Sequence, residues 1–173
     1  MTLSTVDLDT FVIERTYTVP VAQVFHAWSD PKLKARWFAG SVDALDAGYE
    51  LDFRVGGREV NRGGPPGGPV YTYESQFRDI VPEERIIYTY EMYAGENRIS
   101  VSVATVQFHS EGATTRLVLT EQGVFLDGHD TAAQREEGTR SLLESLAAFL
   151  HGDVATAPSV GPVRPEGSRE AIG

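Results

Sequence analysis

Ile86-Ile87-Tyr88-Thr89-Tyr90-Glu91-Met92, read together with Val70-Tyr71-Thr72-Tyr73, decides how this chain folds. Successive side chains of a strand point to opposite faces, so Tyr71 and Tyr73 share one face of their segment, and Tyr88, Tyr90 and Met92 share one face of theirs. A sheet face with that much aromatic surface must be covered or must hold something. The strong apolar helical stripe available to cover it comes late in the chain, where Thr139, Leu142, Leu143, Leu146, Phe149 and Leu150 recur at helical spacing. One helix lying across a wide curved sheet leaves space beside it. The pattern therefore predicts a container for an apolar or aromatic small molecule.

Working outward, Phe11 to Val19 is rich in β-branched and aromatic residues and predicts a first strand, which Pro20 ends. Val21, Val24, Phe25 and Trp28 then follow a helical period. Asp30-Pro31 is an N-cap followed by a proline suited to the first helical position, and it opens a second short helix through Trp37. From Ser41 to Gln122 the pattern becomes alternation broken by turn residues, as an antiparallel meander requires. Leu51, Phe53 and Val55 alternate up to Gly56-Gly57, a pair that serves a bulge or tight bend. A short strand over Arg58 to Arg62 precedes the Gly63 to Pro69 loop. Further strands are predicted at about Val70 to Ile80, Arg85 to Tyr93, Ile99 to His109 and Thr114 to Gln122. The long helix begins near Asp130 or Thr131, with Gly152 placed to end it.

The order of these elements resembles the helix-grip fold: an α+β architecture in which a curved antiparallel sheet of about seven strands wraps a long C-terminal helix, with two short helices after the first strand. Val24-Phe25, Ala27-Trp28, Asp30-Pro31 and Trp37 resemble the opening of the SRPBCC (START-like) superfamily. Leu51-Asp52-Phe53-Arg54-Val55-Gly56-Gly57-Arg58 is similar to the Asp-x-Arg-x-Gly-Gly element of its branch related to the activator of the heat-shock-chaperone ATPase. Glu74 to Pro82, Arg85-Ile86 and Thr115 to Thr120 continue the match in order, so it spans about Phe11 to His151. Glu137-Gly138-Thr139 departs from it where a Gly-Trp pair is frequent, which reshapes that end of a cavity. The resemblance implies a carrier of hydrophobic molecules, a cyclase or hydratase using cavity tyrosines and Glu121, or a chaperone-regulating interaction module linked to stress response. Fold-level likeness alone does not choose among them.

Composition narrows the classes. The chain has 173 residues, 41% of them hydrophobic, enough for one core of ordinary size. One domain over 1–152 is expected, followed by a disordered Gly/Pro/Ala-rich tail over 153–173. A formal net charge of -10 repels nucleic-acid phosphates and anionic lipid, and neither partner is expected. With no cysteine there is neither a disulfide framework nor a thiolate metal site. Met1 to Thr10 has no secretory-signal pattern and no apolar run approaches a membrane span, so a cytoplasmic protein, monomer or homodimer, is expected.

The motifs favour binding over catalysis. The Gly63 to Pro69 loop lacks the Lys-Ser/Thr of a phosphate cradle and precedes a strand, so it reads as a flexible hairpin. His26, His109, His129 and His151 lie far apart, and Asp127 and Asp130 beside His129 read as a solvated helix start, so no metal and no cofactor is expected. No Gly-x-Ser-x-Gly elbow occurs. The expected ligand-contacting residues are Trp37, Leu51, Phe53, Tyr71, Tyr73, Tyr88, Tyr90, Met92, Glu121, Leu142, Leu143 and Leu146. Glu121 and Gln122, closing the last strand, are the candidates for the polar contact. The tyrosines read equally well as solid core, since cross-strand aromatic pairs stabilise a sheet without any ligand.

Overall fold

The computed structural model describes residues 4–41, 43–44 and 47–152. Seven strands and three helices follow the order β1 (Val6–Tyr17), α1 (Val21–Ser29), α2 (Pro31–Phe38), β2 (Glu50–Leu51), β3 (Arg58–Gly63), β4 (Tyr71–Val81), β5 (Arg85–Ala94), β6 (Asn97–Glu111), β7 (Thr114–Leu126) and α3 (Ala132–Leu150). All strands form one antiparallel sheet in the order β1-β7-β6-β5-β4-β3-β2. This is the expected α+β helix-grip architecture. The expected tail over 153–173 lies outside the described residues.

From β2 to β7 each strand pairs with its sequence neighbour, as short connections favour. The first strand is the exception, pairing with the last: Ile13 lies opposite Leu119 and Val6 opposite Leu126. The α1–α2 pair therefore bridges β1 at one edge to β2 at the other, across the open face of the sheet. Helix α3 follows β7 and packs against β1, α1 and α2, and the buried Tyr17 hydroxyl ties it to β1 by donating to the Leu143 carbonyl at 3.2 Å. Register shifts at Phe77/Asp79 in β4 and Met92/Tyr93 in β5 bend the central strands.

Two boundaries differ from expectation. The first strand begins at Val6 rather than Phe11, because β7 continues to Leu126 and supplies ladder partners for Val6 to Thr10. The Leu51-Phe53-Val55 alternation is no strand beyond Leu51. There the chain coils: Arg54 N–H donates to the Asp52 carbonyl and Gly57 N–H to the Arg54 carbonyl. Gly56 takes a φ of 83°, and a Cβ at Gly57 would collide with the Asp52 carbonyl oxygen. The freed backbone joins β4, with Gly56 N–H donating to Phe77 O at 2.8 Å and Phe77 N–H to Gly57 O at 3.0 Å. The glycine pair serves backbone geometry.

The helix starts follow local chemistry. Asp30 Oδ1 accepts from Lys32 N and Leu33 N at 2.9 and 3.0 Å, and Thr131 Oγ1 accepts from Gln134 N at 3.1 Å. Trp37 Nε1 donates to the Ala27 carbonyl at 2.9 Å and fixes α2 on α1. The main core occupies the concave side, from Phe11, Ile13 and Leu117 through Val106 and Ile86 to Leu143 and Leu146.

Candidate functional site

Period-2 geometry places Tyr73 of β4, Tyr88, Tyr90 and Met92 of β5, and Leu119 and Glu121 of β7 on the concave face. Across the inner face of β6 stand the small buried residues Ser100, Ser102 and Ala104. Aromatic rings beside small residues leave space under α3. The resulting cavity of about 60 Å³ is walled by Trp28, Trp37, Phe38, Tyr73, Tyr88, Tyr90, Met92, Leu119, Glu121, Arg135, Gly138, Thr139, Leu142 and Leu143. Eleven of these are buried; Gly138, Thr139 and Leu142 are partly exposed and mark its mouth on α3.

The aromatic wall is continuous. Ring centroids lie 4.9 Å apart for Trp28–Trp37, 5.2 Å for Phe38–Tyr73, 4.9 Å for Tyr73–Tyr90 and 6.0 Å for Tyr88–Tyr90. Such pairs each add about 0.5–1.5 kcal/mol beyond burial, so the wall also holds the fold together. Burial pushes the hydroxyl pKa of Tyr73, Tyr88 and Tyr90 upward, and all three are neutral donors. Trp28 is buried and its Nε1 has no partner among the described residues.

One end of the cavity is charged. Glu121 accepts from the Tyr90 hydroxyl at 2.6 Å and from Ser102 Oγ at 3.1 Å. Arg135, one turn into α3, donates to Tyr90 Oη, Ser100 Oγ and Asp130 Oδ2 at 2.8, 2.8 and 2.7 Å. Its Nη1 lies 3.6 Å from Glu121 Oε2. Burial raises the Glu121 carboxyl above its ordinary pKa, against the pull of Arg135 and of the Tyr90 and Ser102 hydrogen bonds. Asp130 is buried and ion-paired, contrary to the solvated helix start expected of it: α3 turns the Arg135 side chain back over the sheet, and Asp130 meets it there.

A second charged cluster sits behind the aromatic wall. Lys34 Nζ donates to Glu59 Oε1 at 2.7 Å, and the Tyr49 hydroxyl donates to Glu59 Oε2 at 2.6 Å. Lys34 Nζ also lies 4.8 Å from the Phe38 ring centroid and 5.1 Å from that of Trp28. Burial depresses the Lys34 pKa, with Glu59 opposing the shift. Neither Lys34 nor Glu59 lines the cavity.

Of the expected contact residues, Trp37, Tyr73, Tyr88, Tyr90, Met92, Glu121, Leu142 and Leu143 surround this cavity. Leu51, Phe53 and Tyr71 are partly buried against the core, and Leu146 lies within it; none of the four reaches the cavity wall. Gln122 is exposed, since its parity opposes that of Glu121. Sequence reasoning missed Arg135, Asp130, Ser100 and Ser102. The alternate small residues Ser100-x-Ser102-x-Ala104 were the available signal, whereas Arg135 on a polar helical turn offered none. No group of three or more His, Cys, Asp or Glu placed to hold a metal occurs among the described residues. No helix among them is long and apolar enough to cross a membrane.

A grip of seven antiparallel strands around α3, closed by α1 and α2 over an interior cavity, defines a helix-grip domain of the SRPBCC class. Residues 18–151 match the Activator of Hsp90 ATPase homolog 1-like protein family, and the chain belongs to that family. It is similar to a solved protein from Rhizobium leguminosarum, with 45% identity and a TM-score of 0.82 over 88% of this chain and 100% of that one. The Mll3558 protein from Rhizobium loti is 48% identical, with a TM-score of 0.78 over 84% of this chain and 99% of that one. CalU16 from Micromonospora echinospora shares the fold at 19% identity and a TM-score of 0.57, over 86% of this chain and 87% of that one. No curated protein matches the sequence.

Proposed function

We propose that this chain is a cytoplasmic binding module that holds a small molecule with an apolar body in the cavity between the sheet and α3. The observation that carries this is the lining: a mostly aromatic and aliphatic wall with a single carboxylate, Glu121, and an unpartnered donor on Trp28. Ligand sites have this composition, with apolar walls for affinity and a few polar groups for orientation. The cavity of about 60 Å³ is well below the roughly 150 Å³ that holds benzene. It accepts a few heavy atoms as it stands, and a ring would require the partly exposed Thr139 and Leu142 at the mouth to move. Native mass spectrometry of protein purified from its own source, followed by extraction, should find a retained compound. Purified protein with no retained mass and no response to added probes would overturn this function. Tyr73→Phe and Tyr88→Phe should alter probe binding in a fluorescence titration, because both side chains line the cavity.

Glu121 favours a second reading, an acid–base enzyme of the cyclase or hydratase type. A carboxyl with a raised pKa, held by Tyr90 and lining a cavity, is suited to carry a proton. If the extracted compound is converted by fresh protein but not by Glu121→Gln, the enzyme reading holds; recovery of the compound unchanged leaves binding alone. The family name points to a third reading, regulation of a chaperone ATPase through protein contact. Pull-down with the cognate chaperone and an ATPase assay decide it, and no association with no change in rate would remove it.

A further inference from the structure

The buried charges around the cavity do not balance. Behind the wall, Lys34 and Glu59 neutralise each other at 2.7 Å. At the charged end, Arg135 is the one cation among the described groups there, and it serves two carboxylates: Asp130 at 2.7 Å and Glu121 at 3.6 Å. Asp130 has the closer claim, and its Oδ1 also accepts from Thr131 N at 2.7 Å. The direct contacts of Glu121 are hydroxyls, Tyr90 and Ser102, which donate hydrogen bonds but carry no charge. An ionised Glu121 therefore leaves one uncompensated negative charge in a buried site, which is costly unless a cation or a proton joins it. Of the charged groups, Glu121 and Arg135 border the cavity; Asp130 does not.

The walls suit the missing charge. Trp28, Trp37 and Phe38 already face Lys34 and Tyr90 already faces Arg135, but the Tyr73 and Tyr88 rings have no internal cation against them among the described residues. Electron-rich ring faces beside a carboxylate attract organic ammonium groups. At about 60 Å³ the space takes a group of a few heavy atoms. We infer that the cavity selects a small organic cation, an alkylammonium head whose nitrogen pairs with Glu121 while its carbons lie against Tyr73, Tyr88 and Met92. This deepens the proposed binding function and rests on it. The raised pKa of Glu121 agrees: burial disfavours its lone negative charge.

The chain's two tryptophans both line the cavity, so intrinsic fluorescence reads its occupancy directly. Full-length protein at neutral pH is titrated with ethylammonium chloride, ethanol and sodium acetate, with ionic strength held constant by sodium chloride. Three heavy atoms limit affinity to about 1 mM at the tightest. Ethylammonium should give a saturable change at least tenfold tighter than ethanol, and acetate should give none. Glu121→Gln, which keeps the shape but not the charge, should lose that preference at least tenfold. Because the charge series is run on the unaltered protein, it decides the matter even if the variant folds poorly. Ethanol or acetate binding as well as ethylammonium would overturn the cation preference and leave the container intact. No response to any of the three would overturn both.

Discussion

Glu121 shows how one residue couples site and stability. Its folded-state pKa is raised by burial, with Arg135, Tyr90 and Ser102 opposing the shift and Asp130 adding to it. The folded protein therefore holds this proton more tightly than the unfolded chain does. The favourable contribution is fully present below the unfolded carboxyl value, about pH 4, and declines as pH rises through the folded value. Glu121→Gln does not titrate, so its stability relative to the parent should climb between about pH 4 and neutrality in urea unfolding. A flat difference would show that the carboxylate stays charged throughout. Gly123 matters for a steric reason: a Cβ there would stand 2.8 Å from the Phe125 ring and 3.3 Å from Ser102 Oγ. The Phe125 ring in turn lies 5.4 Å from the Arg135 guanidinium. Gly123→Ala should cost about 1–3 kcal/mol by overpacking, and a denaturation midpoint equal to the parent's would show that Phe125 moves freely.

Among the elements, α3 carries the clearest division of faces. Leu143 and Leu146 are buried at 1% and 0% exposure, while Glu144 is exposed and pairs with Arg15 of β1. Leu143→Ala or Leu146→Ala should each cost about 2–5 kcal/mol, as cavity-forming truncations do. Glu144→Ala should cost less than about 1 kcal/mol, since an exposed ion pair contributes little. Equal losses at all three sites in chemical denaturation would contradict this assignment of faces. The stripe and a helix start near Asp130 or Thr131 were legible because helical period and capping are local properties. So were the meander and the Asp30 cap. The coil after Leu51 was not: apolar alternation promised a strand, but Gly56 and Gly57 turn their backbone to Phe77, a partner twenty residues away.

On the scale of the whole molecule, two buried charged clusters brace opposite ends of the grip. Lys34–Glu59–Tyr49 fastens α2 to β3, and Asp130–Arg135–Glu121 with Tyr90 fastens α3 to β5 and β7. Lys34→Met leaves Glu59 buried without its cation and should cost about 3–5 kcal/mol. Replacing both Lys34 and Glu59 with apolar residues of similar volume should recover much of that loss. A double variant as unstable as the single one would show that packing, not charge, sets the cost. The sequence by itself determined the order of elements, the inward parity of Tyr73, Tyr88 and Tyr90, and the Asp30 cap, because periodicity and turn chemistry act over a few residues. The tertiary structure alone decided that β1 closes on β7, that Arg135 and Asp130 meet Glu121, and that Lys34 is buried against Glu59. It also decided that the cavity measures about 60 Å³. Each of these joins residues far apart in the chain, and the volume left between them depends on side-chain packing, which local pattern does not encode.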